Sequence, residues 1–327
     1  MTVLESDWSA AVAALGGARQ VALACHVAPD GDALGSTLAF ALALRRAGTP
    51  CVASFGDKPF AVPRLLRFLP GQQMLVPPDA FPAEPQVMVA FDTGNVERLG
   101  LLAPNAARAE TLIVIDHHLS GTGFGDVRLV DTSAAATAVL VTELLDRMGE
   151  EITRDIAACL YTGLVTDTGS FRYSATTPAV HALAGRLLET GISTDEIARE
   201  LWDRARFGYL HALGETLRRA VLEPGIVWTY VTRADRAAYG LAYDEIEGII
   251  DVVRRIDEAD VAVVLKEDDE GAWQVSTRSK GESDVGRVCA ALGGGGHAFA
   301  AGFTSHLAVE ETMAAFRALL AELGGRP

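Results

Sequence analysis

Long apolar runs are missing from this chain. The best of them, Ala33 to Leu44, is short, contains Ser36 and Thr37, and is closed by Asp32 and Arg45, whereas a bilayer span needs about 20 apolar residues. A longer uncharged stretch, Val288 to Val309, is broken by Gly293–Gly296, His297 and His306. The N-terminus carries Glu5 and Asp7 before any Lys or Arg, the wrong charge for a signal or transit peptide. The expectation is therefore a cytoplasmic protein with no membrane partner. Cysteine is scarce as well: Cys25, Cys51, Cys159 and Cys289 lie far apart in apolar neighbourhoods. No pair has zinc or redox spacing, so they read as four buried, reduced thiols. Positive charge is also in short supply, with 28 Lys and Arg against 43 Asp and Glu and a net charge of -15. A protein that grips long duplex nucleic acid by neutralising phosphates should be basic. Short anionic ligands stay compatible with this charge if metal ions or a local basic pocket offset the field. There is no internal repeat, and Gly293–Gly296 is the one compositionally biased stretch.

What is present is ample apolar surface. Of 327 residues, 49% are hydrophobic and 22% charged, which excludes disorder over most of the length. The length suits two domains better than one. Strand-like runs at Val21–Cys25, Cys51–Phe55, Val87–Phe91 and Thr111–Ile115 alternate with helical patterns at Leu34–Arg46, Ala134–Met148, Arg154–Val165 and Pro178–Glu189. Continuous apolar strands separated by helices predict an α/β fold whose mostly parallel sheet is covered by helices on both faces. Such sheets place ligands beyond the carboxyl ends of their strands. The pattern changes after Gly191: Thr194–Leu222 reads as helical throughout, with Thr194 and Asp195 as caps. Strands at Ile226–Thr232, Val261–Glu267 and Trp273–Arg278 follow, then helices near Asp284–Leu292 and Ala308–Leu323. The expected organisation is an N-terminal domain over 1–192, a helical connector over 193–222 and a smaller α/β domain over 223–327.

Chemistry-bearing residues come directly after the apolar runs. The first strand leads into His26, Asp30 and Asp32, the third into Asp92-Thr93-Gly94, and the fourth into Asp116-His117-His118. Further on, Thr166-Asp167-Thr168-Gly169 closes a helical run. Carboxylates beside a parallel sheet are costly to bury without a cation or hydrogen bonds. Taken alone, the first group is equally well read as turn and cap chemistry, with Asp32 as the N-cap of the following helix. Three strands delivering such groups to one sheet edge favour a cation site. Asp30, Asp32, Asp92 and Asp167 carry four negative charges, which two divalent ions would balance. The oxygen and imidazole donors, without a thiolate, suit Mn²⁺ or Mg²⁺ above Zn²⁺, Co²⁺ or Fe²⁺. In the C-terminal part, Arg278 and Ser279 end a strand ahead of the glycine run, and glycines let backbone amides approach an anion closely. Arg98, Arg172 and Tyr173 read as either structural or substrate-facing; His181, His211 and His306 read as surface or core residues, and Trp202, Trp228 and Trp273 as core.

The motifs His-x-x-x-Asp-x-Asp, Asp-Thr-Gly, Asp-His-His and Thr-Asp-Thr-Gly, in this order, resemble the DHH phosphoesterase superfamily. Gly293-Gly294-Gly295-Gly296-His297 followed by Ala300-Ala301-Gly302 resembles the glycine-rich motif of the DHHA1 domain. The compact length is most similar to bacterial nanoRNases of the oligoribonuclease and pAp-phosphatase type. That resemblance implies a DHH domain and a DHHA1 domain facing each other across a cleft. It also implies one metal on His26, Asp30 and Asp92 and a second on Asp32, His117, Asp167 and again Asp92, with Mn²⁺ first and Mg²⁺ or Co²⁺ as substitutes. Asp116 would orient an imidazole, and His118 would face the scissile phosphate. Arg278, Ser279, Gly294, Gly295, Gly296 and His297 would hold the substrate. The implied activity is a phosphodiesterase on very short single-stranded RNA of about two to five nucleotides, releasing nucleoside 5′-monophosphates through two-metal activation of water. Dephosphorylation of adenosine 3′,5′-bisphosphate to AMP goes with it, and a homodimer is allowed. The alternatives are a linear or cyclic dinucleotide phosphodiesterase, a RecJ-type single-stranded DNA exonuclease, a family II pyrophosphatase, and a non-catalytic nucleotide-binding module on the same fold.

Overall fold

The computed structural model describes residues 3–118, 121 and 123–325. The chain divides into one compact unit ending at Arg204 and a second beginning at Ala205. In the first, α1 (Glu5–Gly16) precedes β1 (Val21–Cys25), α2 (Gly31–Arg46), β2 (Cys51–Phe55) and β3 (Val87–Phe91). Then come α3 (Ala103–Ala106), β4 (Thr111–Asp116), β5 (Val127–Val130), α4 (Thr137–Met148), α5 (Arg154–Asp167), α6 (Pro178–Leu188) and α7 (Thr194–Trp202). The five strands are all parallel, in the order β2-β1-β3-β4-β5. β1 and β3 are buried along their whole length, as are all but the first residue of β4. This is why they read as unbroken apolar runs. The strand order reverses between β1 and β3, so a crevice opens at the carboxyl ends of those two strands.

One face of this sheet packs on α2, α4 and α5 through Leu23, Phe40, Phe91, Ile115, Val141 and Leu160. The other face is covered by Phe81, Leu99, Leu102 and Ala106. Glycines make the tightest helix contact: a Cβ on Gly35 of α2 would stand 2.5 Å from the Cys159 carbonyl oxygen of α5. Cys25, Cys159 and Cys289 are buried and Cys51 partly so, and all four are free thiols. The helix expected over Thr194–Leu222 is instead two helices, α7 and α8 (Phe207–Arg218), separated at residues 203–206 and followed by a strand at Val221.

The second unit holds α8, β6 (Val221–Glu223), β7 (Gly225–Val231), α9 (Arg233–Ala238), α10 (Ile249–Val253), β8 (Ala259–Glu267) and β9 (Trp273–Ser279). It ends with α11 (Val285–Ala291), β10 (Gly295–His297), β11 (Ala300–Ser305) and α12 (Val309–Leu323). Its six-stranded sheet runs β10-β11-β9-β8-β7-β6, with β7 and β8 parallel and every other pair antiparallel. Trp228, Val263, Phe303 and Phe316 fill one side of this sheet, and Val231, Ile246, Ile250 and Val264 fill the other. Among the described residues, no helix is long and apolar enough to cross a membrane.

Candidate metal centre

Each predicted ligand of the first unit sits at the carboxyl end of a strand or at a helix terminus beside it. Asp30, not Asp32, is the N-cap of α2: its Oδ1 accepts the amides of Asp32 at 3.1 Å and Ala33 at 3.0 Å. The cap leaves Oδ2 of Asp30 facing His26, whose Nε2 lies 3.8 Å away. His26 donates from Nδ1 to the Val27 carbonyl oxygen at 2.7 Å, so its Nε2 lone pair is directed toward the carboxylates. That nitrogen lies 3.4 Å from Oδ2 of Asp92.

Asp92 stands at the centre. Its φ of +57° is the left-handed conformation that non-glycine residues rarely adopt, and such strain collects at functional sites. Oδ1 of Asp92 lies 3.5 Å from Nε2 of His117 and 3.7 Å from Nδ1 of His118. Three groups of ligand-capable atoms, each within 4.8 Å of one another, share Asp92: His26 with Asp30, Asp32 with His117, and Asp116 with His118. His117 uses Nδ1 on the Ala134 carbonyl oxygen at 3.1 Å and turns Nε2 to Asp167, 3.0 Å away at the end of α5. His118 donates from Nδ1 to Asp116 at 2.7 Å.

Electrostatics explain why so many acids need partners here. Burial pushes the Asp32 carboxyl well above the usual carboxylate range, and the charges of Asp92 and Asp167 push it further, against His117. Asp167 is raised by burial despite its contact with His117. Burial also opposes ionisation of Asp92, but His118, His26 and His117 outweigh it and hold this carboxyl below the usual range. His117 is the counterpart: burial lowers its affinity for a proton, and Asp167, Asp92 and Asp32 together raise it. His118 is likewise raised, with burial overcome by Asp92 and Asp116. Protons on these groups serve as the positive charge that a divalent cation would otherwise supply. Buried carboxylates and imidazole nitrogens converging on Asp92, with the opposite imidazole nitrogens engaged by carbonyls or a carboxylate, form a donor set that fits such ions.

Sequence reasoning missed the support for this cluster. Asp32 is fully buried and accepts from the amides of Thr137 and Ala138, the latter at 2.9 Å, and from the Ser36 hydroxyl at 3.2 Å. Thr137 also donates its hydroxyl to Asp92 at 2.8 Å. The amino terminus of α4 thus points its free amides at a buried carboxylate. Nothing in the local pattern around Thr137 marks it, since its partners are 45 and 105 residues away. Gly163 has a similar hidden role, because a Cβ there would come within 2.6 Å of Oδ1 of Asp32.

The predicted anion-binding residues all lie in the second unit. β11 pairs Ala300 with Arg278 and Gly295 with Gly302, joining the glycine segment to the end of β9. Two of its glycines are required by close approach: a Cβ on Gly294 would meet the Gly302 carbonyl oxygen at 2.0 Å, and one on Gly296 the Ala300 carbonyl oxygen at 2.6 Å. Nε of Arg278 is buried without a hydrogen-bond partner, and one terminal nitrogen donates to the Thr277 carbonyl oxygen at 3.0 Å. The Ser279 hydroxyl donates to Asp260 at 3.1 Å and accepts the Gly281 amide at 3.0 Å, anchoring the loop after β9. His297 ends β10. Of the remaining candidates, Arg172 donates Nε to the Gly169 carbonyl oxygen, His181 packs on Phe171, and Trp202 is 49% exposed rather than core.

Residues 20–164 match the DHH family, N-terminal domain, and residues 227–323 match the DHHA1 domain. A "bifunctional oligoribonuclease and PAP phosphatase NrnA" of Thermus thermophilus is 34% identical over 286 residues, covering 86% of this chain and 83% of the relative. This chain belongs to the DHH family. Its Bacillus subtilis relative of the same description is 27% identical over 283 residues, covering 85% of this chain and 86% of that one. Among solved structures, an exopolyphosphatase-related protein from Bacteroides fragilis superposes with a TM-score of 0.87 at 25% identity, over 98% of this chain and 97% of that one. The DHH match contains His26, Asp30, Asp32, Asp92, His117 and His118 and stops three residues short of Asp167; the DHHA1 match contains Arg278 and the glycine segment.

Proposed function

We propose that this DHH-family protein hydrolyses phosphoric esters, acting as a phosphodiesterase on very short RNA and as a phosphatase on adenosine 3′,5′-bisphosphate. The observation that carries the reading is the sharing of Asp92 by three groups of ligand-capable atoms at the sheet edge, in a chain similar to oligoribonuclease and PAP phosphatase relatives over most of its length. His26, Asp30 and Asp92 would hold one divalent ion, and Asp32, Asp92, His117 and Asp167 a second, with Mn²⁺ the ion best suited to this oxygen and imidazole set. When bound, such ions supply Lewis acidity to phosphate oxygens and make water more acidic.

The chain's own groups then have separable tasks. The amino terminus of α4 and the Thr137 hydroxyl keep Asp32 and Asp92 in place. Asp116 fixes the ring of His118 by accepting from Nδ1, and His118 would give a proton from Nε2 to a phosphate or leaving-group oxygen. Arg278, with an unpartnered buried Nε, and the segment Gly294–Gly296 beside His297 would bind a substrate phosphate, with the Gly294 amide itself tied to the Cys289 carbonyl oxygen at 2.8 Å. Ser279 would support that segment through Asp260.

The test is a length series of 5′-labelled RNA with Mn²⁺, run beside adenosine 3′,5′-bisphosphate. Fast shortening of RNA of about two to five nucleotides and release of phosphate from the bisphosphate are expected. Absence of both reactions at saturating Mn²⁺ would reject the proposal, and equal rates on long strands would reject the preference for short ones.

A further inference from the structure

Asp57 follows β2 and belongs to none of the ligand-capable groups around Asp92, yet it reaches the loop that carries two of their members. β1 and β2 pair Cys25 with Phe55, so the turns after both strands start level with each other. Oδ2 of Asp57 accepts the Ala28 amide at 2.8 Å. Ala28 lies midway between His26 and Asp30 and has a φ of +50°, a left-handed conformation that non-glycine residues rarely adopt. It also precedes Pro29, and the residue before a proline is normally pushed to extended backbone. A conformation disfavoured on two counts persists only where its surroundings hold it, and Asp57 is the partner of its amide.

The peptide group between Val27 and Ala28 has a second partner. Its N–H goes to Asp57, and its carbonyl oxygen accepts from Nδ1 of His26 at 2.7 Å. One planar peptide therefore joins a carboxylate to an imidazole. Hydrogen bonds in a chain polarise one another, so the carboxylate on the N–H makes the carbonyl oxygen the better acceptor. A metal-ligating histidine commonly donates its other ring nitrogen to a carbonyl or a carboxylate, which fixes its tautomer and orientation. Here the carbonyl is itself fixed by a carboxylate. The surrounding backbone is rigid enough to support this. The Val27 amide donates to the Arg98 carbonyl oxygen at 2.8 Å, and the Leu101 amide donates to that of Gly56 at 3.1 Å. A Cβ on Gly56 would stand 2.0 Å from the Leu99 carbonyl oxygen, so the segments after β1, β2 and β3 interlock. Burial raises the Asp57 carboxyl, with the Ala28 amide and then the His26 ring acting against the rise.

We propose that Asp57 is a positioning residue for the metal centre, holding His26 through the Val27–Ala28 peptide as the Nδ1–H tautomer with Nε2 turned to Asp30 and Asp92. The inference rests on the reading of His26 as a metal ligand. Asp57 touches neither ion nor substrate in this role. A plain tie between two loops would not need the His26 end of the peptide, so the imidazole ring is where the two roles differ.

Nitrogen NMR spectra of the histidine rings of the full chain, taken without metal at about pH 8, read the His26 tautomer directly, with His26→Gln identifying its signals. The unsubstituted protein should show the Nδ1–H form. Asp57→Ala should shift these signals away from that form and speed hydrogen exchange at the Ala28 amide. Asp57→Asn keeps an acceptor oxygen and should leave both nearly unchanged. In titration calorimetry with Mn²⁺, Asp57→Ala should weaken one of two sites about tenfold or more and the other less than about threefold, with most of the loss restored in Asp57→Asn. An Nε2–H tautomer in the unsubstituted protein would overturn the proposal, as would Asp57→Asn proving as damaging as Asp57→Ala. Unchanged His26 signals in Asp57→Ala beside intact Mn²⁺ binding would overturn the role of Asp57 alone, whereas no Mn²⁺ binding by the unsubstituted protein would overturn the metal reading as well.

Discussion

In the first unit a buried sheet edge gathers carboxylates and imidazoles within a few ångströms of Asp92, whereas in the second the anion-binding candidates are a glycine segment and one arginine with an unpartnered Nε. The first arrangement concentrates charge that, Asp30 apart, is largely shielded from water, so each buried group depends on its neighbours for the state it adopts. Asp32 rises through burial first and its acidic neighbours second, while Asp92 falls and His117 rises because their partners outweigh burial. The second is made from backbone, and its shape depends on the absence of side chains at Gly294 and Gly296. Ionisable clusters should therefore fail through lost chemistry, and backbone-made segments through strain.

Replacing Asp92 puts the largest strain on that contrast. Asp92→Asn keeps the shape but removes the charge shared by all three groups, so turnover of short RNA should fall about 10³-fold or more and titration calorimetry should lose Mn²⁺ binding. Retained activity would show that the cluster is not the reaction centre. Asp116→Asn is a milder version, because it weakens only the hold on His118. We expect kcat to fall about 10- to 100-fold, with an altered pH profile and Mn²⁺ affinity changed less than about tenfold.

In the second unit, Gly294→Ala should act through strain. Its Cβ would stand 2.0 Å from a backbone oxygen, so we expect about 2 kcal/mol of destabilisation by denaturant unfolding while Mn²⁺ binding stays within about twofold. Simultaneous loss of metal affinity would erase the distinction between the units. The smallest effect concerns an ion pair that belongs to neither candidate site. Asp235 accepts from Arg219 at 2.5 and 3.0 Å and caps α9 with Thr232, so the Arg219 bond, against burial and with help from Thr232, lowers its carboxyl to about 2 from the ordinary 3.8. A depressed folded-state value stabilises above the unfolded one. The contribution is therefore present in full above about pH 5 and drains away as the pH falls toward 2. Asp235→Asn should cost about 1–2 kcal/mol at neutral pH, with the gap to the unsubstituted protein closing in acid.

Much of the first unit was legible because its strands are buried on both faces. Val21–Cys25, Cys51–Phe55 and Val87–Phe91 match β1, β2 and β3 to the residue. β5 was not legible: Val-Arg-Leu-Val is short and lies at the sheet edge, where burial does not enforce an apolar run. β10 and β11 were missed for another reason, since glycine and alanine have little strand propensity of their own and form these strands by pairing with β9 and with each other. The helical expectation over 194–222 failed where Asp203–Arg206 interrupts the pattern and Val221 joins an edge.

The amino-acid order alone determined which chemistries were available: oxygen and imidazole donors after three apolar runs, a glycine segment after an arginine, and no thiol pair. Order along the chain could specify these because strand burial is a local pattern and ligand residues follow strands directly. Only the tertiary structure decided that Asp30 caps α2 while Asp32 lies under the amides of α4, that Thr137 reaches both Asp32 and Asp92, and that Ser279 serves Asp260. Those choices depend on groups up to 106 residues apart meeting in a space that water has left. There the energy of each contact is set by which partners arrive together.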